Sequence, residues 1–196
     1  ESYKGNIGVF IGRSHGTSFS NCVGENNIAV TDNCYLTGGI VGWIRYSGSS
    51  SDYPMKGIVE VKDNTNSGRV TGASDAGGIV GTVYHAANVS GNANTATDLS
   101  ATNFAAGIVG NFQFSDSYWG DPIPEKELIL QNNISTTALD NISAACKDLY
   151  AYDNSSGSQD GTIDNNSDAW VAQVGSDKYA TLQAAIDAAD GKTIVV

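Results

Sequence analysis

Gly77-Gly78-Ile79-Val80-Gly81 is the stretch on which the reading of this chain turns. It returns as Gly38-Gly39-Ile40-Val41-Gly42 and as Ala106-Gly107-Ile108-Val109-Gly110, with a looser first copy at Gly8-Val9-Phe10-Ile11-Gly12. The closing glycines fall at 12, 42, 81 and 110, so the copies are spaced by 30, 39 and 29 residues. A period near thirty residues is the mark of a solenoid. A short apolar run buries well in a stacked strand, and flanking glycines permit tight corners and close backbone approach. The expected fold is all-β: a parallel β-helix-like solenoid of ~30-residue repeats, with Phe10, Ile40, Ile79 and Ile108 in one interior column.

Working outward, each motif is followed about twenty residues later by an apolar residue, any residue, Asp or Asn, then Asn. The copies are Val30-Thr31-Asp32-Asn33, Val61-Lys62-Asp63-Asn64 and Leu130-Gln131-Asn132-Asn133; Ala101-Thr102-Asn103 is the nearest in the third repeat. Stacked at strand spacing, such asparagines share amide hydrogen bonds, and Asn tolerates a left-handed corner. The long second spacing is assigned to the Ser47–Pro54 loop. This places a Gly-rich repeat solenoid over 1–133 and an irregular insert or linker over 134–169. The last unit, 170–196, is a cap of the same solenoid or the start of a further one. Within it Leu182, Ala185, Ile186 and Ala189 have helical spacing after a capping Thr181, predicting one short amphipathic α-helix.

Composition agrees with a corner-rich β fold. Of 196 residues 23 are Gly, charged residues make up only 16%, and there is a single Met. The formal net charge is −11, and the ten Lys and Arg are scattered, which argues against nucleic acid as a partner. No apolar run is long enough to insert in a membrane. Of Cys22, Cys34 and Cys146, the first two are close enough in sequence for a short-loop bridge; the alternative is buried thiols. Five Asn-x-Ser/Thr sequons are what so Asn-rich a chain holds by chance.

Two stretches of the chain resemble known families. Asn66-Ser67-Gly68-Arg69-Val70-Thr71-Gly72 and Ala76-Gly77-Gly78-Ile79-Val80-Gly81 resemble the GLUG repeat, over roughly residues 5–115. That repeat occurs in large bacterial surface and secreted proteins, including non-catalytic parts of some immunoglobulin-A1-cleaving metallopeptidases. The run from Val174 to Ala189 resembles the start of pectate-lyase-like right-handed β-helix domains, where a small helix plugs the end of the coil and the first strand follows. The second resemblance implies that Thr193–Val196 begins a further, truncated β-helix. Together they imply an extracellular location and, as partners, host or environmental glycans or proteins and the rest of a larger chain.

Candidate chemistry is sparse. Trp43, Tyr46, Tyr84, Phe112 and Phe114 follow successive motifs and form an expected aromatic ribbon, either structural or sugar-stacking, which Tyr118 and Trp119 would extend. Asp32 and Asp63 are the weak Ca²⁺ candidates, because they hold matching ladder positions; hard cations want six or more oxygens. Asp160-Gly161-Thr162-Ile163-Asp164 reads as a turn into a strand. His15 and His85 sit in polar loops without a catalytic pattern. Arg45 and Lys62 are the nominal lyase bases. The expectation is a non-catalytic spacer, scaffold or adhesin-like module without a cofactor. The alternatives are a glycan-binding module and a fragment of a polysaccharide lyase or hydrolase, or an accessory region of a secreted peptidase.

Overall fold

The motif glycines lie where strands approach too closely for a side chain. A Cβ on Gly38 would overlap the Val41 carbonyl, and one on Gly81 the Gly42 carbonyl. On Gly78 it would overlap the Gly107 carbonyl and the Asn94 amide, which belongs to another face of the coil. The first and third glycines thus let two strands fold sharply together, and the second makes room across the interior. This is a computed structural model, and it describes residues 5–14, 16–29, 34–45, 58–84, 86–113, 117–118, 121–122, 128–154, 161–164, 172–174, 177–179, 186, 189, 191 and 193–195.

Each coil passes through up to five short strands, and equivalent strands of successive coils pair in parallel. The first sheet holds Gly5–Gly8, Cys34–Gly38, Asp75–Gly77, Phe104–Ala106 and Cys146–Asp148. The second, directly after the glycine corner, holds Ile11–Ser14, Val41–Ile44, Val80–Tyr84, Val109–Gln113 and Ala151–Asp153. The third holds Phe19–Ser20, Val59–Lys62, Ala87–Ser90, Leu128–Gln131 and Gly161–Asp164, so the Gly161–Asp164 segment is the expected strand. Two narrower sheets close the coil. One contains Thr65–Asn66 and Ala93–Asn94, the other Val70–Thr71 and Leu99–Ser100. The extra residues of the second repeat fall between Ile44 and Val59; the Ser47–Pro54 loop itself lies outside the described residues.

The interior is a set of columns. Ile44, Val83 and Phe112 stack in register, as do Val41, Val80 and Val109. Ile40, Ile79 and Ile108 are each 0% exposed, and each donates its backbone N–H to the equivalent carbonyl of the next coil. Phe10 continues that backbone ladder, but its side chain is 50% exposed, so the expected column begins at Ile40. The reason is position: every strand of the first coil is the last in its sheet, and it packs against a neighbour on one side only.

The asparagine ladder exists, in a register different from the one expected. Phe19 pairs with Val61, Val61 with Val89, and Val89 with Leu130. The first copy is therefore Phe19-Ser20-Asn21-Cys22, and the third is Val89-Ser90-Gly91-Asn92, not Ala101-Thr102-Asn103. Asn64 Nδ2 donates to Asn92 Oδ1 at 2.9 Å, and Asn92 Nδ2 to Asn133 Oδ1 at 2.9 Å. Each amide also caps the carbonyl of the preceding coil: Asn64 to Phe19, Asn92 to Val61 and Asn133 to Val89. All three are buried and satisfied, the condition under which an interior polar network stabilises. The residue before each ladder position turns the corner with positive φ: Asn21 at 55°, Asp63 at 56°, Gly91 at 67° and Asn132 at 54°. These are the residue types that enter the left-handed region at least cost.

Residues 134–153 do not form an irregular insert. Ile134–Ser135, Ile142–Ser143, Cys146–Asp148 and Ala151–Asp153 all pair in parallel with the coil before. Their sequence hides this because the glycine pair is replaced: Asp148 stands in register with Ala106 and Gly77. Near the C-terminus the pairing changes sense. Ala172–Val174 is antiparallel to Asp177–Tyr179 and to Ile194–Val195, so the strand expected to open another parallel coil closes a small antiparallel sheet. The predicted helix over 181–189 lies outside the described residues except for Ile186 and Ala189.

Candidate functional site

The sharp glycine corner folds the outward faces of the first two sheets toward each other, and a cleft of about 380 Å³ lies between them. Its outer column follows the closing glycine of each motif by one residue: Arg13, Trp43, Thr82 and Asn111, in register. The opposing column on the first sheet is Leu36, Asp75 and Phe104. Val83 faces the core, while Tyr84 lines the cleft and Thr82 is buried beneath it with its hydroxyl on Asp75.

Asp75 organises the floor. It is 4% exposed; its Oδ2 accepts from Thr82 Oγ1 at 2.9 Å and Asn111 Nδ2 at 3.0 Å, and its Oδ1 from Ser74 Oγ at 2.8 Å. Ser74 Oγ in turn accepts from Asn103 Nδ2. Burial pushes the Asp75 carboxyl above its ordinary range, and the three donors pull it back. Tyr84 is also pushed up, by burial first and then by the Asp75 charge.

The aromatic wall is built around Trp43. Tyr84 meets it edge-on with centroids 5.5 Å apart, and the Arg45 and Arg13 guanidiniums lie 4.9 and 5.8 Å from its centre. Burial and then the neighbouring Arg13 charge lower the Arg45 pKa. Tyr35 lines the same cleft at 42% exposure.

The expected ribbon therefore does not exist as one column. Trp43 aligns with Thr82 and Tyr84 with Gln113, so the two rings meet diagonally. Phe112 is 0% exposed in the core column with Val83, which removes it from any binding face. Tyr46, Phe114 and Trp119 lie outside the described residues, as do Asp32, His15 and His85; Tyr118 pairs in a two-residue hairpin strand with Asp121. Asp63 is exposed at its left-handed corner, where the register of the flanking strands sets Asn21 and Gly91 beside it; its expected partner Asp32 lies outside the described residues. Cys22 is a free thiol, so the Cys22–Cys34 bridge is absent. Lys62 is paired with Glu60 at 2.6 Å. Among the described residues no group of three His, Cys, Asp or Glu could hold a metal ion.

No family model, curated protein or solved structure matches this chain. The GLUG-like and pectate-lyase-like phrases therefore stand on their quoted residues, and the cleft is read from its own chemistry. Asp75, Asn111, Tyr35 and Arg13 escaped the sequence reading. The signal was there in part: the residue after each closing glycine was the column to follow.

Proposed function

We propose that this chain is a non-catalytic repeat module of a larger bacterial surface or secreted protein, acting outside the cell as spacer, scaffold or adhesive surface. The observation that carries this reading is the parallel ladder of stacked coils, which share core columns and a satisfied asparagine spine. Such a body keeps a surface rigid and at a set distance from its attachment. The bacterial and extracellular parts rest on the likeness of the glycine phrases to GLUG repeats.

The enzyme reading is less well supported. Hydrolysis of a glycosidic bond uses two carboxyl groups flanking it. In the cleft Asp75 is surrounded by hydroxyl and amide donors that already occupy both of its oxygens. Two measurements test the proposal. An antibody against this module should label intact cells that make the full protein; labelling only after lysis overturns the extracellular reading. Polysaccharide panels incubated with the module should yield no unsaturated or shortened products; either product overturns the non-catalytic reading.

A further inference from the structure

We propose that the cleft between the first two sheets binds a short neutral oligosaccharide. The site deepens the adhesive reading above, by giving it a ligand and an address. Of the five buried side-chain polar atoms that have no hydrogen-bond partner among the described residues, two belong to side chains that line this cleft. Asn111 is 3% exposed, and its Nδ2 must face the Asp75 carboxylate, which accepts only; its Oδ1 then receives no hydrogen bond from the protein. Trp43 Nε1 is a buried donor with no acceptor. A buried polar atom left unpaired is costly, so a ligand that supplies one donor and one acceptor is favoured over an apolar one. A sugar hydroxyl is both.

The charge pattern narrows the class. The Asp75 carboxylate on the floor disfavours an anion, and the Arg13 and Arg45 guanidiniums around Trp43 disfavour a cation. An uncharged, hydroxyl-rich molecule with apolar C–H faces meets neither repulsion. The exposed Tyr35 ring offers such a face its platform, and the Asn103 and Gln113 amides at the rim each carry donor and acceptor. The volume is at the small end of ligand pockets, which span about 300–1,000 Å³, so it takes a short segment of a glycan chain.

The test is a titration of the intact module with neutral probes (cellobiose, maltose, mannobiose and diacetylchitobiose) beside galacturonate oligomers and choline, followed by calorimetry and by the Trp43 indole N–H resonance. At least one neutral probe should bind, shift that resonance, and lose tenfold or more in affinity on Tyr35→Ala, with the melting temperature unchanged. Glu25→Ala, outside the cleft, should leave binding intact. Binding only of the galacturonate or choline arm overturns the neutral class. Binding that survives Tyr35→Ala without moving the Trp43 resonance overturns the site. Failure of all probes overturns the proposal while leaving the spacer reading untouched.

Discussion

The first coil and the third are built on the same phrase, yet they behave differently. Around Ile79 the strand residues Val80, Gly81, Thr82 and Val83 are all buried, whereas the first-coil strands are mostly half-buried and Phe10 and Val23 are 50% and 56% exposed. The backbone ladder is the same in both. The difference lies in the neighbours: a coil in the middle of the stack is covered above and below, and one at the end of every sheet is covered once. Burial in a solenoid belongs to the pair of coils, and a motif by itself supplies only the shape that lets it happen.

That contrast can be broken most severely at the glycine that faces the interior. Gly78→Val should cost more than about 4 kcal/mol, because the Cβ it adds would overlap the Gly107 carbonyl and the Asn94 amide, both fixed by stacking; an unchanged denaturant midpoint would remove the corner from the account. Next, Ile79→Ala should cost about 2–5 kcal/mol as a buried large-to-small change. Asn92→Ala should follow at about 2–4 kcal/mol, because it strips the acceptor from the Asn64 N–H and opens a hole in the spine. A cost below about 1 kcal/mol would mean that the ladder is ornament. Phe10→Ala, on the same backbone column as Ile79, should cost under about 1 kcal/mol. Equal costs at Phe10 and Ile79 would erase the distinction between end and middle coils.

The smallest signal is a difference between pH profiles. Asp75 has a carboxyl pKa raised in the fold above its ordinary 3.8, so its proton favours the folded state. The stability this contributes is present below the unfolded pKa and is lost as pH rises through the folded one. The stability of the native protein minus that of Asp75→Asn should therefore fall as pH is raised from about 4 toward neutrality. A difference that rises over that window would show that the hydrogen bonds from Thr82, Asn111 and Ser74 outweigh the cost of burial.

Much of the fold was legible in order and little of it in register. The glycine phrase announced parallel coils, and the polar Asp63-Asn64 and Asn132-Asn133 pairs announced a corner followed by a stacking amide. The third copy stayed hidden because Gly91 replaces the Asp or Asn of that corner; positive φ is what the position requires, and glycine meets it equally well. The fifth coil stayed hidden because Asp148, Tyr150 and Ala151 keep the backbone course without the glycines. The cleft was least legible. Asp75 and Asn111 are 36 residues apart, and nothing along the chain says that a corner will bring them within 3.0 Å.

The chain's own pattern determined the class of structure: period, strand, corner and the small residues the corners need are local properties, written in steric and hydrogen-bonding preferences that each residue carries wherever it stands. Which side of a strand meets the core, which coil lies exposed and which polar atoms share a cleft were decided only by stacking. Those outcomes depend on the exact offset between one coil and the next, and insertions between Ile44 and Val59 or between Gln113 and Leu128 change the count along the chain without changing that offset in space.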